Sequence, residues 1–139
     1  MGSEPTEYLL VFRETTPERY EAMTRDERQR ALERWNAWCD EIAAQGKLKH
    51  GNTLAPMARV VAAPGRTRVV DGPFTETKEL IAGYLLLAAS SLDEATSIAE
   101  RCPSLPYGMV IEVRPVSPTC HLARSLGWET MRGPVAQPA

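Results

Sequence analysis

No apolar run in this sequence approaches the roughly 18 residues that a bilayer-spanning helix needs, and the N-terminus shows no signal-peptide-like apolar segment. A soluble, cytoplasmic protein is the expectation. Basic residues are not in excess. Sixteen Lys and Arg stand against eighteen Asp and Glu, a net charge of −2, which argues against a nucleic-acid footprint. Histidine is scarce: His50 and His121 are far apart and make no metal signature. Cys39, Cys102 and Cys120 form no CxxC pair, and their odd number argues against a disulfide framework. Internal repeats and low-complexity blocks are also lacking. No metal, cofactor, nucleic acid or membrane partner is expected.

What remains is an ordinary globular mixture, 43% hydrophobic and 24% charged over 139 residues. It fits one domain with a core of its own. "TEYLLVFRE" at 6–14 is rich in β-formers and reads as a first strand. Thr16 followed by Pro17 predicts a brief helical turn over 17–23. Thr24 and Glu27 form a capping box that opens a long helix. Leu32, Trp35, Cys39 and Ile42 recur at helical spacing as its buried stripe, with Ala31, Trp38 and Ala43 beside it, and Gly46 is the expected stop. "KLKHGNTLAP" is extended, and "ARVVAA" and "TRVVD" flank a Pro64-Gly65 hairpin signal. "IAGYLLLAA" reads as a central strand. Ser91 and Glu94 cap a second helix that Pro103 ends, and "YGMVIEVRPV" alternates as the last strand.

Strand, long helix, strands with a hairpin, strand, short helix, strand is the order of a ferredoxin-like antiparallel sheet with both helices on one face. The other face then lacks cover, so two copies packed sheet to sheet as a homodimer are expected. The predicted boundaries are an N-terminal lead at 1–5, the domain at 6–116 and a C-terminal extension at 117–139. Pro118, Pro134, Pro138, Gly127 and Gly133 mark that extension, which is either partly disordered or laid on the partner subunit. Leu122, Leu126 and Trp128 suggest a short amphipathic helix within it.

One segment is chemically marked. "VVDGPFTETKELIAGYLLL", followed by a Leu-Asp-Glu-Ala helix and a closing "IEVRPV", closely resembles the YCII-related family in its DGPF-motif branch. The resemblance spans Tyr8 to about Val116. It implies a dimeric α+β barrel of ferredoxin-like subunits. The wider superfamily includes muconolactone isomerases and quinone-forming monooxygenases, many working without metal or organic cofactor. DGPF proteins are also often encoded beside extracytoplasmic-function sigma factors. The family site is usually described as a His–Asp pair with the histidine near the first helix. Asp71 matches the aspartate, whereas "RDERQRALERWNAWCDEIAAQG" contains no histidine.

Asp71 ends an apolar stretch, and Gly72-Pro73 fixes its direction. It is either a general base with a pKa raised by desolvation or a cap of the Gly-Pro turn. Glu76 and Lys78 share a face of an extended segment, as an ion pair or as ligand contacts, and Phe74 anchors the turn. His50 lies after the long helix and is a candidate for the missing imidazole; the plain alternative is a surface residue. Trp35, Tyr8 and Tyr84 are candidate pocket walls or simple packing. Cys39 reads as inert core, and a Cys120–His121 nucleophile is disfavoured because sequence neighbours rarely face each other.

Two functions follow. One is a cofactor-free acid–base enzyme of isomerase, lyase or cyclase type, acting on a small cyclic or aromatic metabolite in the barrel cavity. Asp71 and His50 would be catalytic, with Tyr84, Glu76, Lys78, Trp35 and Tyr8 binding substrate. The other is a non-catalytic ligand-binding or regulatory dimer associated with a sigma factor or transcription regulator. Redox work on a phenol or quinone is a third reading, by analogy alone.

Overall fold

The computed structural model describes residues 6–63, 65–70 and 80–134. Its elements are β1 (Glu7–Glu14), α1 (Glu18–Glu21), α2 (Arg25–Ala44), β2 (Leu48–Thr53), β3 (Ala58–Ala62), β4 (Arg66–Val70), β5 (Leu80–Ala88), α3 (Leu92–Glu100), β6 (Met109–Pro115) and α4 (His121–Ser125). A single 3-10 turn, Leu105–Tyr107, precedes β6.

Local chemistry sets the boundaries. Thr24 Oγ1 accepts from the Glu27 amide at 3.1 Å, satisfying one of the open donors at the start of α2. Ser91 Oγ accepts from the Glu94 amide at 3.0 Å while the Glu94 carboxylate accepts from the Ser90 amide at 2.9 Å, so α3 opens on a box of the same type. The Ser90 amide bond, followed by the Lys47 ammonium, holds the Glu94 carboxyl below the usual carboxylate range.

The four long strands form one sheet in the order β2-β5-β1-β6, every pair antiparallel. This is the ferredoxin-like order that the element sequence anticipates. The hairpin β3–β4 departs from the single sheet expected: it is a two-stranded sheet of its own. All five side chains of Ala58–Ala62 are exposed, so β3 has no apolar face to pack against the others.

Alternation along the central strands selects the core. Tyr8, Leu10 and Phe12 of β1 and Leu85 and Leu87 of β5 are buried beneath α2 and α3, against Trp38, Ile42, Ala95, Ile98 and Ala99. Trp38 Nε1 donates to the Ile98 carbonyl at 3.2 Å, joining the two helices over the sheet. The expected stripe of α2 needs correction. Trp38 and Ile42 are buried, Trp35 and Cys39 are half-buried, and Leu32 is 60% exposed. The C-terminal half of α2 seats on the sheet, and the N-terminal half stands over an open space.

The opposite sheet face carries Leu9, Val11 and Leu86, none of them fully buried, together with an ion cluster. In that cluster Arg13 pairs with Glu112, and Arg114 Nη1 reaches Glu112 at 2.9 Å. Leu122 of α4 and Leu126 just past its end are exposed, so the tail helix buries Ala123 rather than a leucine stripe. No helix among the described residues is long and apolar enough to cross a membrane.

Candidate functional site

The space under α2 from Arg28 to Cys39 is a cavity of about 590 Å³, within the range of small-molecule sites. Its roof is Ala31, Leu32, Trp35 and Cys39, and its floor is β2 and β5. Two glycines keep that floor bare. A Cβ on Gly83 would stand 2.6 Å from the Asn52 carbonyl oxygen, and one on Gly51 would stand 2.7 Å from the Tyr84 carbonyl oxygen. Each Cβ would meet a backbone oxygen of the neighbouring strand, and the one on Gly51 would also meet Leu85 Cδ2, so side chains here would separate β2 from β5. Phe12 and Trp35 meet edge to face at 5.0 Å, Trp35 and Trp38 at 5.2 Å, which makes one wall aromatic and rigid.

Polar groups gather where β1 ends. Glu14 continues the inward parity of Tyr8, Leu10 and Phe12, so its carboxyl follows three core side chains into the cavity lining. Burial raises its pKa above the ordinary 4.5. Burial also raises the Tyr20 phenol, against a lowering by the Ser104 hydrogen bond, and the nearby Glu14 charge pushes it the same way as burial. Tyr20 therefore stays protonated at neutral pH and is available as a donor. Arg28 and Ser104 complete the polar rim.

The residues anticipated from sequence divide between the two sides of the sheet. Trp35 lines the cavity. Tyr8 is 2% exposed, a core residue absent from the lining, because it lies one full strand length from Glu14. Tyr84 borders the cavity through its strand, but Gly83 and Leu85 take the inward parity and its ring turns to the opposite face. There its hydroxyl lies 3.2 Å from His50 Nδ1 and accepts from Asn52 Nδ2 at 3.2 Å. His50 is thus paired with Tyr84 and not with the cavity: Gly51 faces inward opposite Leu85, which sends His50 and Asn52 outward. Asp71, Glu76, Lys78 and Phe74 lie outside the described residues. The strand that follows them starts at Leu80, the register partner of Glu14. Among the described residues no group of three or more metal-ligating side chains occurs.

The YCII-related domain model matches residues 8–119. The chain belongs to the YCII-related family. An uncharacterized protein of Rhizobium meliloti (strain 1021) is 38% identical over 88 residues, which cover 56% of this chain and 71% of that relative. Among solved structures, 5-chloro-2-hydroxyhydroquinone dehydrochlorinase from Burkholderia phenoliruptrix AC1100, in complex with 2,5-dihydroxybenzoquinone, is 17% identical with a TM-score of 0.49. That match covers 81% of this chain and 95% of the other.

Sequence reasoning missed Glu14, Tyr20 and Arg28. For Glu14 the signal was present: an acid on the same parity as Tyr8, Leu10 and Phe12 is an acid aimed at the core side. Tyr20 and Arg28 carried none, since their placement depends on how α1 and α2 cross the sheet.

The cysteines make a separate prediction. Burial, with Cys102 adding to it, pushes the Cys39 thiol to about 11, and burial raises Cys102 as well. Cys120 is shifted down, first by the Ala123 amide. At pH 7.5 a thiol with pKa 11 is ionised in about one molecule in three thousand. Brief iodoacetamide treatment followed by peptide mass mapping should therefore label Cys120 first, with Cys39 and Cys102 at least about tenfold slower. Equal labelling would contradict this assignment.

Proposed function

We propose that this chain is an acid–base enzyme of isomerase, lyase or cyclase type acting on a small cyclic or aromatic metabolite bound between α2 and the sheet. The observation that carries the reading is the meeting of an apolar, aromatic-walled chamber with one half-buried carboxyl. Glu14, its pKa raised by burial, is poised nearer neutrality than a free glutamate, as a general base requires. The Tyr20 hydroxyl, kept protonated, donates to the oxyanion that grows as a proton leaves carbon. Phe12 and Trp35 hold a flat ring against their edges. Isomerisation, elimination and cyclisation share this first proton abstraction, and side chains of the chain itself suffice for it.

Asp71, adjoining the same strand connection, enters the reading as a second acid, and the uncovered sheet face as the contact of a homodimer. A ligand-binding or regulatory dimer is the competing reading, favoured by the histidine-free α2. One experiment separates the two. The chain is titrated with a panel of phenols, hydroxyquinones and unsaturated lactones, binding is followed by tryptophan fluorescence, and bound ligands are then incubated in D₂O under NMR. Saturable quenching with accelerated C–H exchange is the expected result. Binding without exchange would overturn catalysis in favour of the regulatory reading, and absence of any saturable quenching would overturn both.

A further inference from the structure

A second cleft, about 300 Å³, opens beside the cavity and is lined by Arg19, Met23, Glu27, Arg30, Arg34 and Tyr107. Three guanidinium groups against one carboxylate make this corner strongly positive in a chain whose net charge is −2. Among the described residues none of the three arginines pairs with a carboxylate, and the Arg30 side chain has neither hydrogen bond nor ion pair. Three arginines with a single carboxylate among them still repel one another, and an anion between them removes that repulsion.

The cleft is also held in shape. Arg19 Nη1 donates to the Pro106 carbonyl at 2.7 Å, and Arg34 Nη2 donates to the Tyr107 hydroxyl oxygen at 2.6 Å. Each of these two guanidiniums is thus anchored to the 3-10 turn by one N–H, with others left to donate. The Tyr107 oxygen accepts from Arg34, which leaves its own O–H to serve as a further donor. Glu27, Arg30 and Arg34 lie at i, i+3 and i+7 on one face of α2, while Arg19 comes from α1 and Tyr107 from the turn. Tyr107 packs on Tyr20 at 5.8 Å, so the cleft shares a wall with the cavity.

We infer that this cleft binds a phosphoryl anion, either a diphosphate or the phosphorylated end of a small metabolite. Forked guanidinium donors from several directions match the oxygens of a phosphoryl group better than the flat edge of a single carboxylate. The site is distinct from the acid–base chamber and stands whether or not Glu14 is catalytic.

The test is calorimetric titration of the full chain with sodium pyrophosphate, inorganic phosphate and succinate at low ionic strength. One equivalent of pyrophosphate should bind, phosphate more weakly and succinate weakest, with affinity falling as salt rises. Arg30→Gln should weaken pyrophosphate about tenfold while leaving the melting temperature unchanged, because Arg30 supports nothing else in the fold. Glu27→Gln should tighten it. No saturable pyrophosphate binding, equal affinity in Arg30→Gln, or succinate binding as tightly as pyrophosphate would each overturn the assignment.

Discussion

Replacing Glu14 by Gln is expected to lower kcat by about 10²–10⁴-fold, the usual contribution of a positioned general base, and to raise the melting temperature at neutral pH. The two effects have one cause. Glutamine keeps the shape of the side chain and removes the charge that burial penalises. The folded-state pKa of Glu14 lies above its ordinary 4.5, so the native state binds a proton more tightly than the unfolded chain does. The stability this gives is fully present below the unfolded value and is lost as pH rises through the folded value. At pH 7 the native state therefore bears the full penalty of a half-desolvated carboxylate, which Glu14→Gln relieves. Below about pH 4 the acid is protonated in both states and the gain should vanish. Calorimetric melts from pH 4 to 8, with kcat/KM measured across the same range, check both halves. An unchanged kcat/KM would remove Glu14 from catalysis, and a pH-independent gain in melting temperature would show that its charge was never desolvated.

Trp38→Ala should cost about 3–5 kcal/mol, as for other large-to-small changes in packed cores, while Leu32→Ala should cost no more than about 0.5 kcal/mol. Sequence periodicity places both residues on or beside one apolar stripe of α2. The fold separates them. Trp38 is 6% exposed, donates to Ile98 and meets Phe12 and Trp35 edge to face. Leu32 is 60% exposed at the cavity rim. A loss of 3–5 kcal/mol is a large share of the roughly 5–15 kcal/mol by which a domain of this kind is stable, so urea unfolding should show a clear shift of midpoint. Equal losses for the two variants would mean that α2 is seated along its whole length, leaving no room for the cavity beneath it.

These two residues show how much could be read in advance. Thr24 with Glu27, and Ser91 with Glu94, announce their helices because a cap and its amide are three residues apart. The parity of Tyr8, Leu10 and Phe12 announces a buried strand face, and it carried Glu14 as well. The exposure of Leu32 was not readable, because helical spacing says which side of α2 faces inward but not how far each turn stands from the sheet. His50 and Trp35 looked like members of one site in sequence. A single irregularity in the pairing of β2 with β5, between Leu48 and His50, fixes which parity faces outward and leaves them on opposite sides of the sheet.

The sequence by itself determined the family, the element order, the helix caps and the inward parity of the central strands, because each rests on residues close together in the chain. Only the tertiary structure decided that a cavity opens between α2 and the sheet of the chain itself, that the hairpin leaves the main sheet, and that three arginines from two helices line one cleft beside the 3-10 turn. Those outcomes depend on the standoff and crossing of elements far apart in sequence, set by the packing of Trp38 and Ile42 and by the two bare glycines beneath α2.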